Sequence, residues 1–379
     1  MEPREFRIDV PDSVLGDLRE RLRRTRWPDA IPGTGWEYGA DISYVRELCE
    51  YWAEAYDWRR HEADLNRYPQ YLATVDGVDI HFWHVRGKGP RPLPLMLIHG
   101  WPGSIYEFYR LLGPLSDPAA HGGSPEDAFD VVVPALPGYG FSGKPRERGW
   151  NPLRIARALR TLMREVLGYD RWGLQGGDWG AIVSTKVAEQ YPAEIVGLHL
   201  NFVVVPPPAN PTPDDEEVLR QRAVWDALET GYSRIQGTKP MSLAVAQSDS
   251  PAGLAAWIVE KFRTWSDCDG DVDRKFGKDT LLTNLMFYWA PNSIASAARL
   301  YFEAFRDRSS ILPASRIDVP TAVAAFPKEP WLAPRRWVEP YFRLERWTEM
   351  PRGGHFAALE EPQLLLEDVR AFFRPLRAG

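Results

Sequence analysis

A chain of 379 residues is long enough for one large α/β domain with additions, or for two domains. Hydrophobic content of 44% and charged content of 26% are ordinary for a globular protein, and a formal charge of −6 leaves no basic footprint for nucleic acid. No apolar run approaches the ~20 residues of a membrane span, and "MEPREFRIDVPDS" has no apolar signal core or small-residue cleavage site, so a soluble, cytoplasmic chain with no membrane partner is expected.

Residues 1–75 read as a helical and irregular arm that drapes over the α/β core. "DSVLGDLRERLRRTRWP" has an N-cap signal at Asp12 or Ser13 and apolar residues at Val14, Leu15, Leu18 and Leu22. "DISYVRELCEYWAEAYDW" places Ile42, Val45, Leu48, Cys49 and Trp52 on one helix face. Cys49 and Cys268 are the two cysteines; they form no CxxC or His cluster and read as reduced, buried thiols. From Ala73 the pattern turns to strands, with Asp76-Gly77 as a hairpin turn in "ATVDGVDIHFWHVRG". "PLPLMLIHGWPGS" and "FDVVVPALPGYGFSG" carry continuous apolar runs, as in strands covered on both faces. "NPLRIARALRTLMREVLGY" is an amphipathic helix, "RWGLQGGDWG" a strand entering a corner, "AIVSTKVAEQYP" a helix and "IVGLHLNF" a strand. This alternation predicts an α/β fold with a mostly parallel sheet and helices on both faces.

The alternation stops at the Pro-rich "VVVPPPANPTPDDEEVL", whose acidic run from Asp214 to Glu217 reads as a solvated first helical turn. A helical cap rich in Trp, Tyr and Phe comes next. Strand signals return at "VPTAVAAFP" and "RLERWTEM", and "EPQLLLEDVRAFFRPL" closes the chain as a helix. The expected division is an arm over 1–75, a core over 76–205, the cap over 206–309 and the rest of the core over 310–379.

Gly176-Gly177-Asp178-Trp179-Gly180 has the layout of a nucleophile elbow: small residues two before and two after let the backbone turn sharply and lift the middle side chain. The competing reading is an Asp that N-caps the helix from Ala181. An elbow needs an acid and then a histidine later in the chain. Only His199 and His355 lie beyond Asp178. His199 sits in an apolar strand, whereas His355 sits in the loop "PRGGHFAALEEP". Glu329 in "AVAAFPKEPW" stands where the acid belongs, with a surface carboxylate as the alternative. "HGWPGS" comes after a strand end and can supply one amide, that of Trp101, to an oxyanion hole; Trp179 supplies the second. His99 reads as a structural hydrogen bonder in that turn. A serine attacking a saturated carbon would leave an ether that water cannot readily cleave. A carboxylate leaves an ester, and it is ionised at neutral pH unaided. Asp178 therefore points to an electrophilic sp³ carbon, in an epoxide or an alkyl halide.

These residues resemble the epoxide hydrolases of the α/β-hydrolase superfamily, in particular the microsomal type. "YDWRRHEADLNRYPQYLATVDGVDIHFWHVRG" is similar to that type's N-terminal segment, and "HGWPGS", "GGDWG", "GYSRIQGTKP", "AAFPKEPW" and "RGGHFAALEEP" to its motifs. The mammalian members' N-terminal membrane anchor has no counterpart, so the likeness is to soluble bacterial or fungal relatives. The resemblance implies an α/β-hydrolase fold and two tyrosines that hydrogen-bond the epoxide oxygen; Tyr232 and Tyr301 match those positions. It further implies attack by Asp178 to give an alkyl-enzyme ester, hydrolysis by water activated by His355 and Glu329, and release of a vicinal diol, with no metal or organic cofactor. A haloalkane or haloacid dehalogenase on the same fold is the nearest rival, but a departing halide needs no proton and hence no tyrosine pair. A non-catalytic ligand-binding relative would lack part of the set, and every position is filled. Trp257, Trp265, Phe287, Tyr288 and Trp289 fit a cavity for a bulky aromatic epoxide or a helix-packing core equally. A homodimer is compatible with such a chain.

Overall fold

The computed structural model describes residues 2–378. Its sheet is built from β1 (Arg4–Phe6), β2 (Gln70–Val75), β3 (Val78–Val85), β4 (Leu93–Ile98), β5 (Phe129–Pro134), β6 (Trp172–Gly176), β7 (Ile195–Leu200), β8 (Ile317–Ala325) and β9 (Phe342–Glu349). The spatial order is β1-β2-β3-β5-β4-β6-β7-β8-β9. The first three pairings are antiparallel, and every neighbour from β5 to β9 runs parallel. β5 and β7 are buried at every position, as their unbroken apolar runs require of strands covered on both sides.

The arm carries α1 (Asp12–Arg23), α2 (Ile42–Glu54) and α3 (Trp58–Leu65). α4 (Tyr109–Ser116), α5 (Pro152–Thr161) and α6 (Asp178–Gln190) belong to the first part of the core. The cap between β7 and β8 holds α7 (Pro213–Glu229), α8 (Gly231–Thr238), α9 (Pro240–Asp249), α10 (Pro251–Thr264), α11 (Val272–Phe276), α12 (Lys278–Trp289) and α13 (Ile294–Arg306). α14 (Arg335–Val338), α15 (Ala357–Glu360) and α16 (Pro362–Phe373) complete the chain. α6 packs on β4, β6, β7 and β8 beside α5, and α16 packs on β7, β8 and α4.

Several local expectations change. The arm is not only helical: β1 and β2 extend the sheet, and α3 succeeds α2 as a separate helix. Asp57 starts α3 by accepting from the Arg59 amide, and α2 ends at Glu54, short of the Trp58 to which the sequence pattern carried it. α1 is preceded by Pro11 with no side-chain cap, so neither Asp12 nor Ser13 plays that part. The acidic turn of α7 is only partly solvated. Asp215 is buried, pairs with Thr212 in a capping box, and accepts from Arg336 and the Trp337 indole. Cys49 and Cys268 are free and buried. His199 is a core residue that bonds Asp368 of α16 at 3.0 Å; Asp368 also accepts from Arg346 and Thr348 of β9. Burial disfavours the Asp368 carboxylate, but His199, Arg346 and Thr348 outweigh it and hold its pKa at about 2. Among the described residues no helix is long and apolar enough to cross a membrane.

Candidate active site

Asp178 stands at the junction of β6 and α6. Gly177 is extended and Asp178 itself has φ 50°, a left-handed conformation that costs a non-glycine residue about 1–3 kcal/mol. The helix begins at Asp178, so its side chain does not cap it. The turn needs glycine at 180, where a Cβ would lie 1.8 Å from the Ile98 carbonyl oxygen. It needs glycine at 176 as well, where a Cβ would meet the Gly180 backbone at 2.5 Å.

The "HGWPGS" loop leaves β4 beside this turn. The Trp101 amide donates to Asp178 Oδ1 at 2.7 Å, and the Trp179 backbone, next in the chain, also favours the charged form of that carboxyl. α12 of the cap braces the loop: Asn284 donates to the Pro102 carbonyl at 2.9 Å and Tyr288 to the Gly103 carbonyl at 2.6 Å. The Trp101-Pro102 peptide is cis. His99 is buried, contacts the Gly100 carbonyl through Nδ1 at 2.9 Å and accepts the Leu136 amide on Nε2 at 3.1 Å. Its pKa is pushed down to about 4 by burial, as suits a structural imidazole.

His355 and Glu329 close the arrangement from the far end of the chain. His355 Nδ1 lies 2.8 and 3.0 Å from the two Glu329 oxygens, while Nε2 lies 3.6 Å from Asp178 Oδ2. The His355 amide bonds the Trp265 carbonyl at 2.9 Å, and a bridge between Lys328 and Gly354 ties the two loops together.

Above the carboxyl lies an aromatic box. Tyr232 of α8 stacks on Trp101 at 5.0 Å and 7°, and its ring is 5.9 Å from that of Tyr301 on α13. Tyr301 meets Trp179 edge-on at 4.8 Å, and its buried hydroxyl has no hydrogen-bond partner. Trp265 meets both Tyr232 and the His355 ring at 5.0 Å. The structure thus brings together Asp178, Glu329, His355, Tyr232, Tyr301 and the amides of Trp101 and Trp179. Among the described residues no three or more of His, Cys, Asp and Glu are placed to share a metal ion.

Comparison with known proteins decides the family. Residues 3–108 match the model of the epoxide hydrolase N terminus, and residues 94–362 that of the alpha/beta hydrolase fold. A protein of Stigmatella aurantiaca is 46% identical over 378 residues, covering 98% of this chain and 85% of that one. Epoxide hydrolase 1 of Oryctolagus cuniculus is 38% identical over 401 residues, with 97% and 88% covered. The crystal structure of juvenile hormone epoxide hydrolase from Bombyx mori superposes with a TM-score of 0.89 at 31% identity, covering 99% and 95%. The chain belongs to the microsomal-type epoxide hydrolases. It is a hydrolase acting on ether bonds, with an epoxide and water as its substrates.

The epoxide hydrolase site is electrostatically uneven. Burial raises the Asp178 pKa, against the pull of His355 and the two amides. Burial also raises that of Glu329, again opposed by His355. Burial disfavours the His355 imidazolium, but Glu329 and then Asp178 outweigh it and lift its pKa to about 9. Burial drives both Tyr232 and Tyr301 above the ordinary phenol value, so both stay neutral phenols. Of the cap aromatics, Trp265 faces the site, whereas Phe287 packs on Phe141 and Tyr106 as core. Glu107 and Asn201, which the sequence motifs do not single out, share a small cavity with Asp178 and His355. A polar residue directly after the apolar β7 is a signal for Asn201; Glu107 shows none.

Proposed function

We propose that this epoxide hydrolase works in two covalent half-reactions, with Asp178 as nucleophile, His355 as general base, Glu329 as its orienting acid, Tyr232 and Tyr301 as donors to the epoxide oxygen, and the Trp101 and Trp179 amides as the oxyanion hole. The observation that carries this reading is the division of the Asp178 carboxyl. Oδ1 accepts the Trp101 amide at 2.7 Å, and Oδ2 lies 3.6 Å from His355 Nε2. Oδ2 attacks a ring carbon and forms the alkyl ester while a tyrosine protonates the opening oxygen. His355 then takes a proton from water, whose oxygen adds to the ester carbonyl carbon. The charge that develops falls on Oδ1, where the Trp101 amide already stands, a donor worth roughly 10²–10³ in rate.

Esterification also prepares the base. The Asp178 charge is one cause of the raised His355 pKa. The ester carries no charge there, so His355 gives up its proton more readily once the first step is complete. The indole walls of Trp101, Trp179 and Trp265 favour an aryl-substituted epoxide, tested by comparing aryl and alkyl epoxides with chiral analysis of the diols. For the mechanism the test is His355→Gln: the variant should form an adduct of epoxide mass on the peptide containing Asp178 and release almost no diol. Asp178→Asn should form neither. Absence of the adduct with an epoxide that the parent protein turns over would refute the two-step scheme.

A further inference from the structure

One carboxyl beside the reacting groups has no part in the two-step scheme. Glu107 lies on the short turn Ile105–Phe108 just after "HGWPGS", and the Ser104 hydroxyl caps this turn by accepting the Tyr106 amide. Room for its side chain comes from Gly103, where a Cβ would sit 1.3 Å from Glu107 Oε1. The Glu107 amide donates to the Ser104 carbonyl at 3.1 Å and closes the turn. Glu107, Asp178, Asn201 and His355 line a single small cavity, with Phe356 and Leu365 as apolar wall. The space open to the centre of a water molecule is about 10 Å³, close to what one water requires.

We propose that Glu107 holds the hydrolytic water of the second half-reaction, accepting one of its hydrogens while His355 removes the other. This assignment rests on the two-step mechanism. The water oxygen bonds to the ester carbonyl carbon, one proton passes to His355 Nε2, and the second stays on oxygen, hydrogen-bonded to Glu107. Collapse breaks the bond between that carbon and the alkyl oxygen. The proton on His355 goes to the leaving alkoxide, and the acid proton left on Asp178 restores the tyrosine that gave one up at ring opening.

Charge supports this assignment. Glu107 is pushed up to about 8, first by burial and also by the Asp178 charge, against the pull of His355. Tyr288, which reaches the loop from α12, stays a neutral phenol through burial. Loss of the Asp178 charge on esterification favours ionised Glu107 at the stage that needs an acceptor. Asn201, bonded through Oδ1 to Gln175 at 2.8 Å, supplies a polar wall to the same cavity.

The experiment is a rapid-mixing single turnover with styrene oxide, monitoring formation and decay of the Asp178 ester by quenched-flow mass measurement. Glu107→Leu should leave ester formation within about two-fold of the parent and slow its decay by about ten-fold or more, the scale of a lost proton-handling group. In the steady state kcat should fall while kcat/KM holds. Glu107→Gln, which keeps an acceptor oxygen, should recover most of the decay rate. Gly103→Ala, which evicts the carboxyl, should repeat the Glu107→Leu result. Unchanged decay in Glu107→Leu and Gly103→Ala, or equal slowing of formation and decay in both, would overturn the proposal. His355→Gln run alongside separates the two levels: if it traps ester and the Glu107 and Gly103 variants do not, only the role of Glu107 fails.

Discussion

At the scale of single residues, what matters is where protons sit. Tyr232→Phe and Tyr301→Phe each remove a buried phenol that burial keeps protonated. Each should slow ester formation by about 10²-fold, with a larger loss in the double variant, and leave ester decay unchanged; stopped-flow tryptophan fluorescence reports the first step. A second expectation concerns pH. His355 must be neutral to accept a proton, and its pKa in the resting enzyme is raised to about 9. The Asp178 charge that contributes to this is absent from the ester. Ester decay should therefore rise with pH and level off at a midpoint below that of the resting enzyme, as single-turnover decay against pH will show. Ring opening fails on the acid side instead, because protonated Asp178 cannot attack. Asp178, His355 and Glu329 were legible in the sequence because each stands in a Gly- or Pro-marked loop after a strand. Glu107 was not, since its reach into the site depends on the side chain that Gly103 lacks.

At the scale of elements, the β6–α6 turn works because two backbones touch. Gly180 sits against the carbonyl of Ile98 at the end of β4, closer than any Cβ permits. Gly180→Ala must push α6 away from β4 and shift Asp178 out of the Trp101 amide's reach. That variant should lose about 10²-fold or more in kcat, since a small misplacement of reacting groups costs that much, and its Tm should fall; thermal unfolding and steady-state rates give both. The sequence announced this turn through its glycines and the flanking strand and helix patterns. It did not announce β1, because "REF" is too short to show a period, and it carried α2 on to Trp58 because no glycine or proline marks its end at Glu54.

At the scale of the molecule, the arm joins parts that the chain order separates. β1 and β2 lengthen the sheet, while the arm helices bond the cap: Tyr51 donates to Asp279 at 2.8 Å, Tyr56 meets Thr283 at 2.9 Å, and Arg21 reaches Asp249 at 2.6 Å. The mostly parallel sheet and the helical insert between β7 and β8 could be read from alternating patterns; the spatial order of the strands could not. Nor could the arm's attachments, because they join residues more than two hundred positions apart by polar contacts, together with the packing of α1 and α2 on α10. Sheet, cap and arm should therefore absorb heat as one cooperative unit, giving a single calorimetric peak whose van't Hoff and measured enthalpies agree. Limited proteolysis within the exposed stretch around Ile31 and Tyr38 severs the covalent continuity between α1 and the rest of the arm. The nicked protein should show that peak broaden or divide, and an undivided transition at the original temperature would mean that the covalent link to α1 adds nothing to the cohesion of cap and sheet.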